Sequence, residues 1–401
     1  MPAVVPEAES TVRVYWTAFI GLFFDYYDLF LFIYLEKTLA AEFALSPAAS
    51  NAVQFTGLAG VGVGALLFGF LADRFGRGRM MLAVFAVYAV GIAGLSLTWD
   101  FNSLLAFRLL ASLALGAEWG ISHTYLAERV PPGRRYRLSA LLQFSILGGL
   151  LAALVARYAL PAAGWRVLFA ASIVPVAVLS LVRWRMLAGA DSAVGAALRR
   201  DAWGKSGHKA PPKVVMTGGA AFRFAGCFAL ASLTISSGTI NIFFAKELPQ
   251  TVWHTVLFWG NVAPGMLLGA WLVRRRGVRA ALLLYGGAVV ALSLGAWLSP
   301  WAQRKLAFAL VLPLLNGIPF GLMGALFNET FAVYRTTLSG AAYNLGRILA
   351  GFAPVLLVAL GLNDGGRYFL FTAATGLGVC LLAGGLHVPA ADSREISAGS
   401  S

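Results

Sequence analysis

Two aspartates three residues apart, Asp25 and Asp28, stand in the run FFDYYDLFLF, and Arg347 stands in an equally apolar run near the other end of the chain. A charge inside hydrocarbon costs at least about 2.5–3.5 kcal/mol unless it is paired or faces water, so each is a candidate for function. Asp28 lies one helical turn beyond Asp25, on the same face. Two carboxylates sharing a low-dielectric cavity hold their charges badly, which is how a carboxylate comes to carry a proton. Arg347 cannot discharge, so it calls for an acid or an anionic ligand, and its planar fork fits a carboxylate in bidentate fashion. Tyr343 and Asn344, one turn earlier, add neutral hydrogen-bonding groups, as do Tyr27, Asn241 and Asn261 in other apolar runs. The plain structural alternatives are an aspartate bonded to a neighbouring helix and an arginine tied to helix carbonyls or to an acid elsewhere.

Arg108 and Glu118 share one apolar run but lie about 80° apart around a helix, too far for a pair within it. Each must answer a charge elsewhere, and Asp25 or Asp28 is the expected partner of Arg108. Glu118 joins the two aspartates as a candidate for proton coupling. His123, five residues further, is expected to be satisfied by hydrogen bonds rather than to relay protons.

The elements that must hold these groups are apolar helices. The chain is 59% hydrophobic and only 12% charged, with mean hydropathy +0.77, about half the charged fraction of a soluble globular protein. Windows long enough to cross a hydrocarbon core fall at about 14–36, 51–72, 80–98, 104–127, 138–157, 165–187, 218–244, 253–273, 280–299, 305–328, 337–361 and 368–388. The net charge of +14 would suggest nucleic acid in a soluble protein. Here the bases cluster between apolar spans and read as topology signals. With the N-terminus inside, 21 Lys and Arg fall on the inner side, seven on the outer and three within spans, so both termini are expected in the cytoplasm. That inner count includes Arg183, assigned to the segment 183–213. Cys227 and Cys380 are expected as free buried thiols; no cofactor, metal site or nucleic-acid partner is indicated, and no basic n-region precedes the first span.

The polar stretch 188–213 reads as a linker between an N-terminal six-helix bundle, 1–187, and a C-terminal one, 214–390, followed by a tail, 391–401. An offset of 201 residues places Gly76 on Gly277, Gly116 on Gly317, Gly120 on Gly321, Glu128 on Glu329 and Arg134 on Arg335. One offset serving a turn and a span argues for duplication, the layout of a two-bundle carrier.

The run from Gly69 to Arg79, GFLADRFGRGR, resembles the signature of the major facilitator superfamily, with Gly69, Leu71, Asp73, Arg74, Gly76 and Arg77 in register. Arg108 to Arg135 is similar to the fourth span and following loop of its sugar-porter and metabolite:proton symporter branches, ending on Tyr125, Leu126, Ala127, Glu128, Pro131, Arg134 and Arg135. Glu329, Phe331, Arg335, Gly340, Tyr343, Asn344, Gly346 and Arg347 resemble a run of organic-acid symporters, and the first span resembles that of aromatic-acid symporters. The second-half counterpart of the signature, LVRRRGVR at 272–279, lacks an acid.

The resemblance implies an all-α membrane protein of twelve helices in two pseudo-symmetric bundles, not an enzyme, acting as a monomer in a bacterial or archaeal inner membrane. It implies proton-coupled symport of a small organic anion, a monocarboxylate such as lactate or pyruvate. A cytoplasmic gate is expected from Asp73 with Arg74 and Arg77, Glu128 with Arg134 or Arg135, and Glu329 with Arg335. Sugar or polyol symport and drug:proton antiport are the alternatives. An enzyme would need clustered His, Asp or Cys, and a channel a filter loop; neither pattern is present.

Overall fold

The computed structural model describes residues 10–187, 218–245, 252–299, 301–361 and 368–385. The expected linker 188–213 and tail 391–401 lie outside the described residues. Every regular element described is helical. Spans one to four are Thr11–Glu42, Pro47–Phe75, Arg77–Ser96 and Phe101–Arg129; span six is Leu160–Leu187 and span seven Gly218–Ala245. Span ten is Trp301–Thr330, and span twelve is Tyr368–Gly385. Apolar length makes these helices spans; local chemistry sets their ends. Ser46 accepts the Ala49 N–H at 3.2 Å ahead of Pro47, opening span two. Asp100 and Ser103 form a reciprocal capping box that opens span four. The Ser103 backbone N–H, then its side chain, hold the Asp100 carboxyl below the usual carboxylate range.

Spans eight and nine lie within Val262–Leu298 as two helices that meet at a kink, after a short helix Val252–Gly260. Gly277, at φ 80° and ψ 168°, makes the turn between them. Gly76, at φ 100° and ψ 143°, makes the corresponding turn between spans two and three, so the duplicated glycines occupy duplicated left-handed hinges that a side chain would strain.

The same offset governs packing. A Cβ on Gly116 of span four would strike the Val61 carbonyl oxygen of span two, and one on Gly317 of span ten would strike that of Val262 in span eight. Gly64 likewise meets Leu113 O, and Gly265 meets Leu314 O. Each pair differs by 201 residues on both sides of the contact, so two helix crossings are repeated atom for atom in the two bundles. Replacing Gly116 by leucine should leave little monodisperse protein on size-exclusion in detergent. Gly133→Ala, where nothing lies within 4 Å, should be neutral. Normal yield of the leucine variant would refute the close packing.

Besides span eight, interrupted at Asn261, two spans differ from the uniform helices expected. Span five runs through Pro132–Arg134 and Arg135–Leu142, tightens to a 3-10 segment at Gln143–Leu147, and resumes at Gly148–Tyr158. A Cβ at Gly148 would meet the Phe23 carbonyl of span one, so the break lies where span five presses closest on span one. Span eleven, Arg335–Gly351, breaks at Phe352 before Ala353–Ala359, because Pro354 removes a backbone donor.

Spans one to six pack together, as do seven to twelve, and the halves meet mainly through spans two, four and five against eight, ten and eleven.

Candidate functional site

Arg347 projects from span eleven at mid-helix, half-buried. Among the described residues it makes no hydrogen bond or ion pair; its charge acts electrostatically on Asp25, Tyr26, Tyr343 and Arg108. Tyr343, one turn earlier, is buried; its hydroxyl meets that of Tyr26 at 3.1 Å, and its ring stacks on Trp119 at 3.8 Å and 4°. Tyr26 and Trp119 belong to spans one and four, so this contact joins the halves around Arg347.

Asp25 is 8% exposed, and Glu118, Arg347, Asp28 and Arg183 act on it electrostatically. Asp28 is deeper. Both its oxygens are enclosed without a hydrogen bond of ordinary geometry; the Ser172 hydroxyl stands beside it, within 3.0 Å of the Leu168 carbonyl of its own helix. Tyr27 also turns toward Ser172 in span six, away from Arg347, so Tyr26 occupies the place expected of Tyr27.

Glu118 does find its charge elsewhere. Arg183 of span six meets it at 2.7 Å, with both side chains almost fully enclosed, and Ser122 donates to the same oxygen at 2.8 Å. Arg183 is therefore a bundle residue rather than a loop base. A Cβ on Gly21 would collide with both partners, so span one leaves the room they occupy. Arg108 bonds neither aspartate. Its guanidinium lies over the Phe32 ring at 3.7 Å with Glu36 as its nearby acid, because the flat face of Phe32 reaches it first.

His123 is fully buried and satisfied, Nε2 at 3.0 Å from Gln143 Oε1 and Nδ1 at 3.3 Å from Ser139 Oγ. Gln143 also receives Trp119 Nε1 at 3.2 Å and donates to the Tyr26 hydroxyl at 2.7 Å. Asn344 spends its amide hydrogens on the carbonyls of Gly116 and Gly340, tying spans four and eleven, and leaves only Oδ1 open. Asn261 donates to the Leu310 carbonyl at 3.1 Å. The side chain of Asn241 lies outside those described. Of the thiols, Cys227 is buried and Cys380 half-buried, both free.

At the end of the bundle that carries the Gly76 turn, a second cluster crosses between the halves. Asp73 accepts from Arg77 at 2.7 Å, from the Thr336 and Thr337 N–H groups at 3.1 and 2.9 Å, and from the Thr337 hydroxyl at 2.7 Å. Glu128 pairs with Arg77 at 3.0 Å and reaches Arg335 at 4.0 Å; Glu329 reaches Arg135 at 4.0 Å and accepts from Tyr136 at 2.7 Å. The expected partners differ: Glu128 bonds Arg77 of its own half rather than Arg134 or Arg135, and the longer approaches, Arg335 to Glu128 and Arg135 to Glu329, run across the seam because the helix ends of the two halves face each other there. Thr124 to Asn328, at 2.7 Å, continues the seam. Arg74 and Arg134 are exposed and join no ion pair among the described residues. The arginines of 274–279 are also exposed and join no ion pair among the described residues.

Sequence reading missed Tyr26, Trp119, Gln143 and Arg183. Gln143 and Arg183 carried a signal, a polar or charged residue within an apolar run; Tyr26 and Trp119 had only their place beside Asp25 and Glu118.

The model of the Major Facilitator Superfamily matches residues 18–354. A cis,cis-muconate transport protein of Acinetobacter baylyi is 28% identical over 363 residues, covering 85% of each chain. A gallate transporter of Pseudomonas putida is 28% identical, covering 86% of this chain and 79% of its own. Among solved structures, the proton:xylose symporter XylE superposes with TM-score 0.73 and 17% identity over 93% of this chain and 94% of the other. At that identity the likeness speaks of fold.

Proposed function

This chain belongs to the Major Facilitator Superfamily, and we propose that it is a proton-coupled symporter of a small organic anion working by alternating access. It is a multi-pass membrane transporter rather than an enzyme. The observation that carries the anion reading is Arg347: a permanent, half-buried cation at the seam between the halves, without an acid bonded to it among the described residues, one turn from the Tyr343 hydroxyl. A charge partly withdrawn from water and unpaired is costly, and a substrate carboxylate offsets that cost. The relatives are named for muconate and gallate, and a further one, 32% identical over 41% of this chain, for niacin. All are carboxylates, which supports the class and widens it beyond lactate and pyruvate to unsaturated and ring acids.

Asp28 is the proton carrier in this reading, with Asp25 and Glu118 shaping the field around it. In this reading a carboxyl enclosed away from water, with the Ser172 hydroxyl beside it, takes up a proton with the substrate, and water reaching it after the halves move takes the proton away. The cluster of Asp73, Arg77, Glu128, Arg135, Glu329 and Arg335 is the inner gate. Both termini lie in the cytoplasm, the carrier acts as a monomer, and a bacterial or archaeal inner membrane is its setting, as the distribution of basic residues supports.

The test is uptake of labelled lactate, pyruvate, cis,cis-muconate, gallate, nicotinate and a hexose into proteoliposomes, with and without an inward proton gradient. For Asp28→Asn the expected result is loss of at least roughly tenfold in gradient-driven acid uptake, the scale set by one missing catalytic proton step, with acid exchange at equal pH retained. Hexose uptake, or acid uptake indifferent to the gradient, would overturn the reading in favour of a sugar porter. That second reading has support in a partial match to a D-xylose transporter but leaves Arg347 without a ligand.

A further inference from the structure

Six side chains are joined in a line of hydrogen bonds whose direction can be followed as far as the Tyr26 oxygen. Trp119 Nε1 can only donate, so the Gln143 atom 3.2 Å away is its oxygen, which fixes the orientation of the amide. The same oxygen lies 3.0 Å from His123 Nε2, so that nitrogen bears the hydrogen and Nδ1 receives the Ser139 hydroxyl at 3.3 Å. The Gln143 amide nitrogen then donates to the Tyr26 hydroxyl at 2.7 Å. The Tyr26 hydroxyl keeps its own hydrogen, and Tyr343, 3.1 Å away on the opposite half, is the neighbour able to accept it. When Tyr26 donates in this way, Tyr343 receives a bond and its own hydroxyl hydrogen has no other acceptor among the described residues.

That last hydrogen is on the turn preceding Arg347. The Tyr343 ring cannot swing freely, because it lies flat on Trp119 at 3.8 Å, and Trp119 is itself held by Gln143. Gln143 is fully enclosed, in the 3-10 segment that interrupts span five.

We infer that Gln143 is a positioning residue: by donating to Tyr26 it leaves the Tyr26 hydrogen free for Tyr343, so that the Tyr343 hydroxyl and the Arg347 guanidinium grip one substrate carboxylate at two points. The inference rests on the reading of Arg347 as an anion site. It explains why a glutamine, donor and acceptor at once, stands where a glutamate would be isosteric. In the Gln143→Glu variant the side chain would only accept; Tyr26 would donate to it, Tyr343 would donate to Tyr26, and no hydrogen would remain for the ligand.

The test is a cycle of Gln143→Glu, Tyr343→Phe and the double variant, with cis,cis-muconate, gallate, nicotinate and lactate titrated against tryptophan fluorescence in detergent. Each single variant should weaken binding of the acid that the wild type takes by about tenfold or more, the worth of one hydrogen bond to a charged group. The double variant should bind no more weakly than Tyr343→Phe. Additive weakening, or no weakening by Gln143→Glu, would overturn the role of Gln143. Failure of the wild type to bind any of the acids would overturn the grip together with the anion site. Nitrogen NMR of histidine-labelled wild-type protein, with His123 assigned by its Gln variant, decides the direction of the line separately. The Nε2–H form is expected, and an Nδ1–H form would overturn it.

Discussion

Replacing Arg347 by glutamine should abolish concentrative carboxylate uptake while leaving the protein folded. A guanidinium bonded to a carboxylate in a partly enclosed site is worth about 2–5 kcal/mol on truncation, which is a loss of roughly thirtyfold to several thousandfold in transport efficiency. The folded state should tolerate the change because Arg347 bonds no acid among the described residues, so its removal strands none. Arg347→Lys keeps the charge but not the planar fork, and should fall between glutamine and wild type. The measurement is initial uptake in proteoliposomes alongside the melting temperature in detergent. Wild-type uptake by the glutamine variant, or a collapse of melting temperature equal to that of a core substitution, would show that Arg347 is structural.

The second large effect concerns stability. Glu118 and Arg183 are 1% and 2% exposed and 2.7 Å apart, with Glu118 Oε2 and Arg183 Nε and Nη1 unbonded beyond that contact. Desolvation of two charges is offset only while both are present. Arg183→Met should therefore destabilise by about 3–5 kcal/mol, as stranding one partner of a buried pair does, and Glu118→Leu by a similar amount; the double variant should recover most of it. Thermal melting of the four proteins in one detergent measures the coupling. Losses that simply add would mean the two residues act independently, and the close contact would not be the reason for either. The recovered double variant also gives a direct view of coupling: if Glu118 takes part in proton movement, a stable carrier without it will show an altered pH profile of uptake.

The contrast between these two arginines shows what the sequence could and could not convey. Arg347 is ten residues into an apolar run, so its depth followed from the rise per residue alone. Arg183 sits at the last turns of its run, next to a basic stretch, and nothing in spacing separates a helix-end base from a loop base. Only the room left by Gly21 and the approach of span four decide that it turns inward. The architecture was accessible for a related reason: apolar length and the 201-residue repeat are properties of single segments, and they anticipated the paired hinges at Gly76 and Gly277. The partnerships were not, because Glu128 with Arg335 and Glu329 with Arg135 depend on which helix ends face each other across the seam. The line through Gln143 was hidden for another cause. It needs a 3-10 turn in the middle of an apolar span, and the sequence QFSILGG reads as unbroken helix until the close approach to span one is known.

The bonds from Asp73 to Thr336 and Thr337 have one further consequence. They satisfy backbone donors in the first turn of span eleven, and that helix begins after Tyr334, a non-glycine residue held at φ 50°, with no cap of its own. The beginning of span eleven is thus finished by a residue from the other bundle. Any motion that parts the halves at this end uncovers those N–H groups to water. If the proposed gate opens here, the Thr336 and Thr337 amides, at the start of the helix that carries Arg347 and Tyr343, are expected to exchange hydrogen faster, so their protection would report whether the halves are joined at this end.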